Sequence, residues 1–186
     1  MKQAVECTMA GVHSTPRVVH MTITENTATA TIAPAAPAAP AARVNYAKSA
    51  PKAFRALLAL DAAAREGLDP ALVELVQIRS SLLNNCAYCL DMHIKDARKA
   101  GEREERLYLL SVWREAPAGL YSAKEQAALA LTEAVTRIGD GVPDEVYGRA
   151  AEQFEEAELA QLLSLILTIN TWNRIAVTTR KVPGIG

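Results

Sequence analysis

From residue 43 onward, apolar positions recur every three or four residues, the spacing of one buried face on a helix. Pro51 to Glu66 carries Phe54, Leu57, Leu58 and Ala62, with Gly67 as a stop. Asp69-Pro70 supplies an N-cap and a proline at the first helical position. The helix it opens is expected to run to about Leu83, with Leu72, Val73, Leu75, Val76, Ile78, Leu82 and Leu83 as a broad apolar face. Asn84-Asn85 breaks it, and a further helix follows from Ala87 to Ala100, closed by Gly101. A short helix is expected from about Glu102 to Trp113, ahead of a loop at Pro117 and Gly119. Ser122-Ala-Lys-Glu125 is a capping box that starts a helix to about Ile138. Gly139 and Gly141 end it, Pro143 starts another, and the last helix runs from about Glu155 towards Thr179. No strand-like alternation and no short-period repeat interrupts this pattern. The expected architecture is all-α, one domain over residues 43–186.

Residues 1–42 break the pattern. Thr22 to Thr31 is threonine-rich, and Ile32 to Ala42 is almost wholly Ala and Pro. Prolines at 34, 37 and 40 forbid a regular helix, so this stretch reads as a disordered, extended tail. Met21 opens the low-complexity run and is a second candidate start; on that reading residues 1–20, with Cys7, His13 and His20, lie outside the native chain.

Composition narrows the class. Half of the residues are hydrophobic, and Ala and Leu dominate the patterned part, which favours helices packed on helices. A formal net charge of −1 gives no electrostatic case for nucleic acid or an anionic membrane. Sparse aromatics disfavour a base-stacking surface. The longest apolar stretch, Leu159 to Ile169, is broken by Gln161, Ser164 and Thr168, so no transmembrane helix is expected. The first twenty residues lack the apolar core of a signal peptide, and the expected compartment is the cytoplasm. There a close cysteine pair points to catalysis, redox sensing or metal binding more than to a structural staple.

That pair is Cys86 and Cys89, in Asn84-Asn85-Cys86-Ala87-Tyr88-Cys89-Leu90-Asp91-Met92-His93. Positions three and four apart share a helix face, so both thiols and His93 point one way. A helix start, with its free N–H groups and dipole, stabilises a thiolate. A base one turn on can take the thiol proton or return one to a leaving group. Other readings fit the spacing less well. Haem attachment needs His directly after the second Cys, where Leu90 stands; a thioredoxin site needs a preceding strand. Cys86, Cys89 and His93 could supply three zinc ligands, a number that suits a catalytic site, but no second pair completes a structural one. The blandest reading makes both cysteines small core residues and His93 a satisfied buried group. Glu74 lies on the preceding helix with Gln77 and Ser81 along the same face. That stripe reads either as solvated or, if the Asn84-Asn85 break folds the two helices together, as a carboxylate brought to the cysteine helix.

Glu74, Cys86-Ala-Tyr-Cys89 and His93 together resemble the E-x11-C-x-x-C-x3-H signature of AhpD-like alkylhydroperoxidases, in the carboxymuconolactone decarboxylase superfamily. Val76-Gln-Ile-Arg79-Ser-Ser-Leu-Leu-Asn-Asn and Ile169-Asn-Thr-Trp172-Asn173-Arg174-Ile-Ala are similar to the same family. The resemblance covers roughly residues 43–183. It implies an AhpD-like all-helical fold that assembles as a homo-oligomer, a trimer or hexamer. It also implies a thiol peroxidase. Cys89 attacks an organic hydroperoxide and becomes a sulfenic acid, and Cys86 condenses with it to a disulfide. His93 activates the attacking thiol and Glu74 completes a proton relay. The best-studied members have a further histidine before the second cysteine; Tyr88 stands there in this chain and is a possible relay group. The implied partners are a small-molecule hydroperoxide and a lipoyl-bearing or dithiol reductant protein, with no cofactor and no metal. Trp172 and Arg174 are candidates to line or close the site, or else pack the last helix at a subunit contact.

Two other functions use the same residues. A non-catalytic redox sensor or thiol–disulfide adaptor also needs a reactive pair. A decarboxylase or lactone-processing enzyme of the same superfamily does not, so an intact C-x-x-C-x3-H argues against it.

Overall fold

Asp69 accepts hydrogen bonds from the N–H groups of Ala71 and Leu72, at 2.8 and 3.2 Å, and Pro70 takes the first helical position. The central helix therefore starts where the sequence places it. The computed structural model describes residues 43–184. Among them the α-helices are α1 (Tyr46–Ser49), α2 (Pro51–Ala64), α3 (Pro70–Leu83), α4 (Ala87–Lys99), α5 (Glu104–Leu109), α6 (Ala123–Thr136), α7 (Asp144–Gln153) and α8 (Glu156–Thr179). The described residues contain no strand. None of their helices is long and apolar enough to cross a membrane. The expected tail over residues 1–42, with Cys7, His13 and His20, lies outside the described residues.

α3 is the hub. From Leu72 to Ser81 every residue except Glu74 is buried. Leu72, Val73 and Val76 join Leu131 of α6 and Leu162, Leu165 and Ile166 of α8 in one core cluster. Leu75 and Ile78 join Leu107, Leu110, Trp113 and Leu129 in a second. Each such side chain contributes about 1.5–3 kcal/mol on burial, so a helix that feeds two clusters is fixed in position by both.

A buried ion pair locks α3 to α6. Arg79 reaches Glu133 through Nη2 at 2.7 Å and Nε at 2.9 Å. The Trp113 indole N–H donates to the same carboxylate at 2.7 Å, and Arg114 Nη1 closes on its other oxygen at 2.6 Å. Burial pushes the Glu133 carboxyl up, but the hydrogen bonds from Trp113 and Arg114 and the charge of Arg79 outweigh it. The group sits below the ordinary glutamate value.

α4 runs back along α3. Asn85 adopts the left-handed conformation (φ +53°), which asparagine tolerates better than most residues, and so turns the chain. Asn84 holds the turn to α8: its Nδ2 donates to Asn170 Oδ1 and Asn173 Oδ1, both at 2.9 Å. Asn173 in turn donates to Ser81 Oγ at 3.1 Å.

Most boundaries fall within two residues of expectation. The capping box of Ser122 and Glu125 is present at the start of α6. The predicted helix from Glu102 to Trp113 divides instead into α5 and a 3₁₀ segment, Leu110–Glu115, with Val112 off helical geometry. Leu110 and Trp113 are both buried, and a 3₁₀ turn aligns side chains three apart.

Removing the Glu133 carboxylate leaves Arg79 charged and buried. Glu133→Ala is therefore expected to destabilise the fold by about 3–5 kcal/mol, measured by denaturant unfolding at neutral pH. The carboxyl is depressed in the folded state, so its stabilisation is complete above the unfolded value of about 4.3 and is lost as pH falls through the lower folded value. The acid limb of the melting-temperature profile should flatten in the variant.

Candidate functional site

Cys86 is the N-cap of α4, and its sulfur accepts the backbone N–H of Cys89 at 3.3 Å. The N–H of Cys86 bonds back to the Ser81 carbonyl at 2.9 Å, which ties the cap to the end of α3. Cys86 and Cys89 are joined as a disulfide with their Cα atoms 5.4 Å apart. Both are buried, packed with Ala176 of α8. The helix start expected for this pair is thus present, and the sulfur of Cys86 itself serves as the cap acceptor.

His93 follows one turn after Cys89 and is buried. Its Nδ1 lies 3.0 Å from Glu74 Oε2. With Glu74 ionised, Nδ1 carries the proton and donates, which leaves the Nε2 lone pair for chemistry. Of the two readings for Glu74, the helix-to-helix one is observed. In the stripe it shares with Gln77 and Ser81, those two are fully buried and Glu74 is half-buried.

Glu74 is braced from behind. Arg65 Nη1 lies 3.6 Å from its other oxygen, and Arg65 Nε donates to Asp61 Oδ2 at 3.0 Å. The indole N–H of Trp172 donates to Asp61 Oδ1 at 3.1 Å, and Phe54 meets the Trp172 ring edge-on, centroids 5.5 Å apart. Polar contacts therefore run from Trp172 through Asp61, Arg65 and Glu74 to His93. Asp61 and Arg65 were not singled out in the sequence. Their one signal there is an i, i+4 pairing on α2, which many surface helices share.

Cys89 and His93 line a cavity of about 570 Å³ between α2, α4 and α8; Cys86 and Glu74 do not. Phe54, Leu58, Ile169, Trp172 and Ile175 give it a largely apolar wall. Its size is that of a site for a small organic molecule. Tyr88 also lines it, with its ring under the Lys181 ammonium, 3.9 Å from Nζ to the centroid. Among the described residues, no hydrogen bond joins the Tyr88 hydroxyl to His93 or Glu74. Trp172 lines the cavity; Arg174 does not, and its Nη1 instead donates to the carbonyl and Oδ1 of Asn170, at 3.0 and 2.8 Å. No three His, Cys, Asp or Glu side chains among the described residues converge as metal ligands.

Comparison with known proteins fits this architecture. Residues 49–134 match the model of the carboxymuconolactone decarboxylase family. The uncharacterized protein YdfG of Bacillus subtilis is 48% identical over 105 residues, which are 56% of this chain and 70% of YdfG. A crystal structure of a protein of unknown function from Agrobacterium tumefaciens, provisionally described as the antioxidant defence protein AhpD, superposes with a TM-score of 0.75 at 38% identity. It covers 78% of this chain and 100% of its own. The debrominase Bmp8 shares the fold at 18% identity and a TM-score of 0.62, over 72% of this chain and 70% of its own. With 70% of YdfG and the whole of the Agrobacterium tumefaciens chain aligned, and the family model matched over residues 49–134, the chain belongs to the AhpD-like carboxymuconolactone decarboxylase superfamily.

Proposed function

We propose that this protein is a thiol peroxidase that reduces organic hydroperoxides through Cys86 and Cys89. The observation that carries this reading is that Cys89 and His93 face one apolar cavity while Glu74 holds the other side of the imidazole. In the reduced protein, His93 Nε2 takes the Cys89 thiol proton, and the thiolate attacks the outer peroxide oxygen. An S–O bond forms, the O–O bond breaks, and the alkoxide leaves as an alcohol with the proton from His93. Cys86 then attacks the Cys89 sulfenic sulfur. The disulfide forms and hydroxide leaves with a proton as water. Two electrons and two protons from an external dithiol, on a lipoyl-bearing or dithiol protein, restore both thiols. The asymmetry supports the order of events: Cys89 lines the cavity, and Cys86 lies behind it at the helix cap.

Cys89→Ser should abolish turnover. Cys86→Ser should take up one peroxide oxygen and stall as a sulfenic acid, read by intact-mass measurement after dimedone trapping. A redox sensor or adaptor would form the same disulfide but show no multiple turnover with excess hydroperoxide and dithiol. Steady-state peroxide consumption with dihydrolipoamide separates the two.

His93→Gln should lower the rate of the first step by about a hundredfold or more and move the pH profile of Cys89 alkylation upward. Glu74→Gln should act in the same direction by a smaller factor, since it works through the imidazole. Three superimposable alkylation profiles would remove both residues from the mechanism.

The same reading takes the protein to be a symmetric homo-oligomer, a trimer or hexamer. Leu58 and Leu60 on α2 and Leu167 and Val177 on α8 are large apolar side chains left exposed, and a second copy would cover them. Light scattering at micromolar concentration should give a multiple of the chain mass; a clean monomer would overturn this.

A further inference from the structure

The cavity that holds Cys89 and His93 is apolar along its wall but not at its rim. Cys89, His93 and Ile169 line it and are buried; Arg43 and Lys181 also line it and are exposed. The end of α8 brings these two cations to one end of the cavity. The N–H of Arg43 donates to the Thr179 carbonyl at 3.0 Å, and its Nη1 donates to the Thr178 carbonyl at 3.2 Å. The N–H of Lys181 donates to the Ala176 carbonyl at 2.9 Å. The free carbonyls of a helix C-terminus favour cations beside them. The Lys181 ammonium lies over the ring of Tyr88, the residue before Cys89. A ring face attracts an ammonium without neutralising it. The carboxylates that line the cavity are already matched: Asp61 pairs with Arg65 at 3.0 Å and Asp96 with Lys99 at 3.2 Å. Arg43 and Lys181 form no ion pair among the described residues.

We propose that Arg43 and Lys181 form an anion-binding subsite that selects hydroperoxides carrying a carboxylate head group on an apolar chain. Two unmatched positive charges at the rim of an apolar cavity are complementary to a molecule with one anionic end. The carboxylate accepts hydrogen bonds from the Lys181 ammonium and the Arg43 guanidinium, and the chain lies along Phe54, Ile169 and Trp172 towards Cys89. A cavity of about 570 Å³ suits one chain with its head group, so the class is a single-chain fatty acid hydroperoxide and not a two-chain lipid. The head group takes no part in the redox step; it is unchanged while the O–O bond is cleaved at Cys89. Tyr88 is a positioning residue on this account, since its ring holds the Lys181 ammonium at the rim. The inference rests on the reading of this cavity as a hydroperoxide site, and it names the substrate class and the side chains that recognise it.

The experiment uses the full chain and needs no turnover. Binding of octanoate and of octanamide, its neutral isostere, is measured by isothermal titration calorimetry, and the ratio of the two affinities is the readout. The wild type should prefer octanoate, and the preference should shrink as ionic strength rises. Lys181→Met and Arg43→Met should each lower the ratio about fivefold, the upper end for an exposed ion pair. Lys181→Arg should keep the preference and Lys181→Glu should remove it. Tyr88→Leu should lower the ratio and Tyr88→Phe, which retains the ring face, should restore it. Equal affinities in the wild type, no binding of either probe, or a ratio that the Lys181 and Arg43 variants leave unchanged would overturn the subsite and leave the peroxidase reading intact. An octanoate preference that responds to these variants, in a protein that consumes no hydroperoxide with dihydrolipoamide, would overturn the peroxidase reading and keep the subsite.

Discussion

Everything in this molecule is built on the burial of α3 from every side. Its apolar residues feed two separate core clusters, one shared with α8 and the other with α5 and the 3₁₀ segment after it. A helix enclosed in this way has little solvated face on which to place polar groups, so most of them are held by partners inside the protein. Arg79 finds Glu133, Ser81 finds Asn173, and Glu74 finds His93. These three contacts reach α6, α8 and α4 respectively. The polar side chains of one helix thus set the positions of the three helices packed around it, and the candidate site lies where two of those contacts meet.

The fold was legible because the signals for it are local. Asp69-Pro70, Ser122 with Glu125, and the i, i+3, i+4 apolar spacing each act within one or two turns, and the helices they mark are present. The candidate site was legible in part for the same reason: Cys86, Cys89 and His93 are within two turns of one another. Glu74 could be placed only by assuming that the Asn84-Asn85 break folds α4 onto α3. The parts that could not be read are long-range. Gln77 and Ser81 look like a polar stripe in the sequence, and only the packing of α4 and α8 buries them. Asp61 and Arg65 form an ordinary i, i+4 pair until Trp172, more than a hundred residues later, closes on Asp61. The division of the helix after Glu102 follows from the burial of Leu110 and Trp113 together, which local spacing does not specify.

The asparagine cluster shows why the site and the fold cannot be separated. Asn84 is the last link of α3, and its side chain is held by Asn170 and Asn173 from a helix more than eighty residues away. Asn170 is itself fixed by a bond to Thr136 Oγ1 of α6 at 3.0 Å and by Arg174. This network determines where α3 stops, and the residue after it, Asn85, takes the left-handed turn. The next residue is Cys86. Its sulfur therefore caps α4 because a polar network in the core has already fixed the end of the preceding helix.

Such a network is costly to assemble, since each buried amide gives up its water. An apolar core would hold the helices together with less specificity about where each one ends. For packing alone, a shift of α4 by one residue would be tolerable. For the chemistry it would not, because it would carry Cys89 and His93 around the helix by 100°, away from the cavity and from Glu74. Polar side chains in the core of this protein therefore act as register marks. They convert a generic packing of Ala- and Leu-rich helices into one arrangement in which a sulfur, an imidazole and a carboxylate meet.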